Sequence, residues 1–200
     1  MKLLISSLIV LTGFALATQA RASLHSPDIS HAIPSILPVD SRCTLSLGAP
    51  VIDYGTQSRW QMQDAAGINS VTPGKRRLTL NVICPYSQTM RLKLNGERAA
   101  NGDLRYGRQG SMTVRLLSAD LDGQAVGVAR LVSGELVDVH NESILKLQPG
   151  NSIGAMAHGT LARGKKFTAY LEIEPVLPEA SARVTARESS QSSLSLELLH

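Results

Sequence analysis

The sequence predicts an all-β sandwich, and three observations carry that expectation. Apolar and polar residues alternate in one short run after another, the pattern of half-buried strands. Gly, Pro, Asn and Asp punctuate these runs at short intervals. No stretch shows the three-to-four-residue apolar period of an amphipathic helix. Aromatic residues make up only 4% of the 200-residue chain, so aliphatic side chains must supply the core.

The chain opens with Lys2, a continuous apolar run from Leu3 to Leu16, then Ala17-Thr18-Gln19-Ala20 and Arg21-Ala22. A positive charge, a short apolar core and small residues are the layout of a secretory signal peptide, assigned to residues 1–22. The apolar run is short for a membrane-spanning helix. The rest is of single-domain size. Residues 23–42 read as an N-terminal extension. Pro27, Pro34 and Pro38 remove backbone donors and exclude a central strand, leaving an extended or edge-pairing segment. His25 and His31 have no cysteine or carboxylate cluster beside them and read as solvent-facing.

A sandwich domain is expected over residues 43–200. Leu45 and Leu47 share one face of a first strand, opposite Thr44 and Ser46; Val51–Tyr54 resumes it after Gly48 and Pro50. Trp60–Thr72 reads as a loop or helical turn, and Gly74-Lys75-Arg76-Arg77 as a solvated basic loop. Leu78, Leu80, Val82 and Cys84 form the next apolar face. Met90, Leu92 and Leu94 follow after Pro85, with turns expected at Asn95-Gly96 and Asn101-Gly102. Met112, Val114 and Leu116 lead to a hairpin at Asp122-Gly123, with Gln124–Val128 returning. Leu131–Val139 alternates less cleanly, and Ile144–Leu147 is a short strand stopped by Pro149-Gly150. Phe167, Ala169, Leu171 and Ile173 line a strand stopped by Pro175 and Pro178. Leu194, Leu196 and Leu198 close the chain against Ser193, Ser195 and Glu197.

Cys43 and Cys84 are the only cysteines, and each sits at the end of an alternating run. An exported chain meets an oxidising compartment, so one disulfide joining two strands is expected. That leaves no thiol for redox work. No phosphate loop, nucleophile elbow or paired-histidine metal motif is present, so no catalytic residue, metal or cofactor is expected and the chain does not read as an enzyme. A net charge of +4, with one dense basic cluster and no interleaved aromatics, argues against a nucleic-acid partner.

The order of these features resembles the subunits of chaperone–usher fimbriae. The first cysteine lies near the start of the mature chain, Asp53-Tyr54-Gly55 follows, then Leu78–Cys84, the segment Gly164–Pro175, and a strand at the extreme C-terminus. The resemblance covers residues 43–200 and rests on order and spacing. It implies an immunoglobulin-like, pilin-type sandwich lacking one strand. By this analogy a hydrophobic partner-binding groove is flanked by the first and last strands, with Leu45, Leu47, Leu194, Leu196 and Leu198 as its candidate residues. The implied partners are a periplasmic pilus chaperone, an outer-membrane usher and neighbouring subunits. The implied location is the periplasm and then the fimbrium at the cell surface.

Two features depart from the common pilin pattern. The chain ends Leu198-Leu199-His200, without the penultimate tyrosine that pilins carry. The candidate donor segment, residues 23–42, has no glycine; its register runs His25, Pro27, Ile29, His31, Ile33. A minor, tip or terminal subunit is therefore the expectation. The alternative is a self-complete periplasmic or surface sandwich that binds a ligand in the manner of an adhesin.

Overall fold

The computed structural model describes residues 42–132, 134–140, 144–183 and 186–199, with only the backbone at 138–140. The expected signal peptide, and the extension up to residue 41, lie outside the described residues. Everything described belongs to one compact unit, Asp40–His200.

That unit is an all-β sandwich. Its strands, in chain order, are β1 (Thr44–Leu47), β2 (Gln63–Asp64), β3 (Ser70–Thr72), β4 (Arg76–Thr89), β5 (Arg91–Gly96), β6 (Leu104–Tyr106) and β7 (Gly110–Leu121). They continue as β8 (Gln124–Val132), β9 (Glu135–His140), β10 (Leu145–Leu147), β11 (Ser152–Ala157), β12 (Thr160–Leu161), β13 (Arg163–Pro178) and β14 (Leu194–Leu199). One helical turn, α1 (Glu179–Ala182), follows β13. The main pairing path is β1-β4-β13-β7-β8-β11-β5-β14, from which β6 and β10 branch at β7, β9 at β8, β12 at β11 and the β2–β3 hairpin at β13. The β7–β8 hairpin carries the path from one layer to the other.

β13 is the spine of the first layer. It pairs with β4 from Arg163↔Thr89 to Ile173↔Arg76, and with β7 from Phe167↔Leu121 to Val176↔Ser111. Its alternating Phe167, Ala169, Leu171 and Ile173 are no more than 3% exposed. Leu80, Val82, Val114 and Leu116 meet them from the flanking strands, and Leu92, Leu94, Ile153 and Ala155 from the second layer. Burying each such aliphatic side chain stabilises the fold by about 1.5–3 kcal/mol before entropy is counted.

The hairpin at Asp122-Gly123 forms as its dipeptide predicts. Both residues have positive φ, 51° and 83°, as a type I′ turn requires. Asp122 bonds differently from a simple turn aspartate. Its Oδ1 accepts the backbone N–H groups of Lys165 and Lys166 at 3.0 and 2.8 Å, fastening the turn to the start of β13.

Several expectations are corrected. Val51–Tyr54 joins no ladder. Trp60–Thr72 contains the expected helical turn, at Arg59–Gln61, and also the small β2–β3 hairpin. Arg76 and Arg77 are not loop residues but open β4, and Lys75 lies 3.6 Å from Glu172. β4 runs through Pro85, because its ladders break between Ile83 and Gln88 and no pairing N–H is needed there. β13 likewise runs through Pro175: the proline stands opposite Met112 in the β7 ladder, and on its other side the β4 ladder has ended at Ile173 and the β3 ladder begins only at Leu177. Asn95-Gly96 is no turn. Gly96 pairs with Leu194, and a Cβ there would collide with the Leu104 side chain.

The Cys43–Cys84 disulfide is formed, with its Cα atoms 4.2 Å apart. It fastens β1 to β4 just beyond their ladder, which runs from Thr44↔Ile83 to Leu47↔Leu80. For a separation of 41 residues the chain-entropy relation gives about 4 kcal/mol. We expect the Cys43→Ala, Cys84→Ala double variant to lose about that much in chemical denaturation. A denaturation midpoint equal to the parent's would contradict this role.

Candidate functional site

The pairing path has two ends. β1 pairs only with β4, and β14 only with β5, among the described residues. Their inward-facing residues are accordingly less covered than those of β13. Leu45, Leu47, Leu194, Leu196 and Leu198 are all half-buried, packed on the core from one side.

Between these ends lies a cleft of about 1100 Å³. One wall is the chain from Leu47 to Gln57, and the other runs from Arg187 to Leu194. The floor is apolar, with Leu78, Met112, Ile173 and Leu177 from β4, β7 and β13. Both walls are irregular chain with little backbone pairing among the described residues. The last backbone bond of the first wall is Gly48 N–H to Thr79 O at 2.9 Å; among the described residues 49–57 make no backbone–backbone bond. In the second wall, before β14 begins, Gln191 O accepts from Gly107 N–H at 2.9 Å. An unpaired extended segment presents N–H and C=O groups to any strand laid beside it.

The walls are braced from outside. Glu179 joins Arg59 at 3.1 Å and Arg183 at 2.6 Å, and Arg59 also reaches Asp64 at 3.3 Å. Hydrogen bonds from Arg183 and Arg59 hold the Glu179 carboxyl below its usual range. Ser58 and Gln61 cap the Arg59–Gln61 turn reciprocally. Arg187 donates to Thr56 Oγ1 at 2.6 Å, linking one wall to the other.

Tyr54 and Tyr106 line the cleft, both half-buried. Burial pushes Tyr54 up to about 12, against the opposing pull of Arg76, whose guanidinium lies 5.3 Å from the ring centroid. Burial, and then the charge of Asp53, raise Tyr106. Among the described residues no three His, Cys, Asp or Glu side chains converge on a metal-sized site. No helix among them is long and apolar enough to cross a membrane. What the cleft offers, among the described residues, is an apolar floor between two sparsely paired backbones.

The residues expected to flank a groove are distributed along the two end strands. Leu47 and Leu194 line the cleft. Leu196 lines a small neighbouring hollow with Leu92, Leu147 and Ile153. Leu45 and Leu198 pack on the core and line neither. The sequence reading missed Tyr54, Gln57 and Ser192 as wall residues, and Met112 and Leu177 as floor. The half-buried alternation of Ala49, Ile52 and Tyr54 was the signal for the first wall; nothing local marks the floor.

No family model matches the sequence, and no curated protein is significantly similar to it. One solved structure, described as a chaperone–tip adhesin complex in CFA/I fimbriae biogenesis, aligns over 78% of this chain at 7% identity with a TM-score of 0.33. The chain spans 42% of that structure's length.

The tyrosine environment sets a pH dependence. Tyr54 keeps its proton to about pH 12 in the fold but releases it near the ordinary tyrosine value of 10.0 when unfolded. Between those values the folded state binds more protons, so stability is intact below about pH 10 and falls as pH rises toward 12. We expect Tyr54→Phe to flatten part of that alkaline loss in melting curves, with Tyr106 supplying a remainder of the same sign. Identical alkaline profiles for parent and variant would rule this out.

Proposed function

We propose that this chain is a subunit of a bacterial surface fimbria, in a minor, tip or terminal position, whose open cleft receives a strand from another protein. In this reading the chain is exported by residues 1–22, held in the periplasm by a fimbrial chaperone, and passed to an outer-membrane usher. A neighbouring subunit's extension then replaces the chaperone strand, a case of β-strand addition. The sequence resemblance over residues 43–200 supports the family. The observation that carries the strand-accepting role is that the pairing path ends on both sides of one cleft, at β1 and β14. An inserted strand would pair with unpaired wall backbone and cover Leu78, Met112 and Ile173 together, which a compact small molecule would not.

The test is export of the full chain with and without a co-produced fimbrial chaperone. Alone, the protein should be degraded or aggregate; with the chaperone it should accumulate as a soluble complex. Leu194→Asp sets a charge on the cleft edge, and desolvating it should weaken capture at least tenfold in a pull-down. A stable soluble monomer without chaperone, or capture undiminished by Leu194→Asp, would overturn the proposal.

A further inference from the structure

Between α1 and β14 the chain forms the second wall of the cleft as a strap, residues 187–193. The strap is polar throughout: Arg187, a glutamate, a glutamine and four serines. It lines a cleft whose floor includes Leu78, Met112 and Ile173. A segment with no apolar side chain gains little from lying on such a floor. Point contacts hold it instead. Among the described residues the strap makes two hydrogen bonds: Gly107 N–H donates to Gln191 O at 2.9 Å, and Arg187 Nη2 donates to Thr56 Oγ1 at 2.6 Å. Gly107 is shaped for its contact. It sits at φ 61°, and a Cβ there would lie 2.6 Å from Ser190 Oγ and 2.9 Å from Ser190 Cβ, so the missing side chain lets the strap lie this close. The Arg187 bond joins the second wall to the first. Beyond the strap, β14 is fixed by a six-residue ladder with β5. The strap itself is irregular and exposed at Arg187, Glu188 and Ser189, the features of a segment that opens locally while the sheet stays intact.

A strand entering between the walls must part Arg187 from Thr56. It also needs backbone groups to pair with, and Gln191 O is already engaged by Gly107. We propose that residues 187–193 are a latched strap, fastened by Arg187 to Thr56 and by Gln191 to Gly107, which must let go for a strand to enter the cleft. This rests on the strand-accepting reading above and adds the step that controls it. Latched, the strap ties the two walls of the empty cleft together. Unlatched, it swings on its α1 and β14 ends and offers its backbone to the incoming strand. The latch sets how fast a strand enters, not whether the cleft can hold one.

The probe is a labelled synthetic peptide as long as the 47–57 wall, with valine inward and threonine outward. Its association with the full mature chain is followed by stopped-flow fluorescence anisotropy. Arg187→Ala and Thr56→Val should each speed association by about two- to tenfold, the factor of one hydrogen bond, at an unchanged denaturation midpoint. Both remove the same bond, so the double variant should be no faster than either single one. Thr56→Val alters no charge, so its gain is not electrostatic steering. The converse variant staples the strap. A Gly107→Cys, Ser190→Cys pair is close enough to form a disulfide after a small shift. Oxidised, it should slow entry by about tenfold or more, and mild reductant should restore the rate, with the parent in the same reductant as control. Parent-like rates in both single variants, additive gains in the double variant, or unhindered entry into the oxidised staple would overturn the latch and leave strand addition standing. Slower entry with a lowered midpoint, the mark of a merely structural contact, would do the same. If no form bound the peptide, both would fall.

Discussion

The structure turns on a main β-pairing path that does not close among the described residues. From β1 through β4, β13, β7, β8, β11 and β5 to β14, each strand but the first and last is paired on both sides. A sheet edge is a row of unsatisfied backbone groups, and proteins ordinarily cover, charge or shorten such edges. Here the two edges and their extensions face one cleft over an apolar floor. The half-exposed Leu47 and Leu194 differ from the 0% exposure of Val82 and Ala169 not in chemistry but in having a neighbour on one side only.

Other parts of the fold make sense as ways to keep that gap in shape. The Cys43–Cys84 disulfide holds β1 to β4, so the first wall leaves the sheet from a fixed point. Arg59, Glu179, Arg183 and Asp64 tie the region beside the first wall to α1, whose Ala180, Ser181 and Ala182 also line the cleft. Asp64 and Arg183 are solvent-exposed and their pairs individually weak, but linked through the half-buried Arg59–Glu179 pair they limit how the wall can swing. The deeper polar knot, with Asp103 bonded to Thr113 at 3.0 Å and Lys146 at 2.7 Å, joins the loop before β6 to β7 and β10. It keeps the rest of the sandwich closed where the seam is open.

Much of this architecture was legible in the sequence, because strands with one wet face advertise themselves. The faces of β4, β7 and β13, the I′ turn at Asp122-Gly123 and the terminal Leu194–Leu198 alternation are period-2 signals. β11 was silent for the converse reason. Residues Ile153 to Met156 are all buried, so no alternation exists, and a Cβ at Gly154 would come within 2.5 Å of the Leu161 side chain. Pro85 and Pro175 misled because a proline marks a missing donor, and only the pairing pattern tells whether a donor was needed. The candidate site shows the same limit. Alternation at Ala49, Ile52 and Tyr54 announces an extended chain, but whether that chain has a partner is a property of the assembled sheet. Thr56 and Arg187, 131 residues apart, meet only when their segments form opposite walls.

The most direct measurement is amide hydrogen exchange on the isolated mature protein, residue by residue, before and after an added strand peptide. An unclosed seam predicts rapid exchange along residues 49–57 and 189–193 in the isolated protein, beside strong protection in β4 and β13, and new protection in both walls once the peptide binds. Protection of both walls in the isolated monomer equal to that of β13 would mean that the chain already closes its own sheet, and would contradict the account.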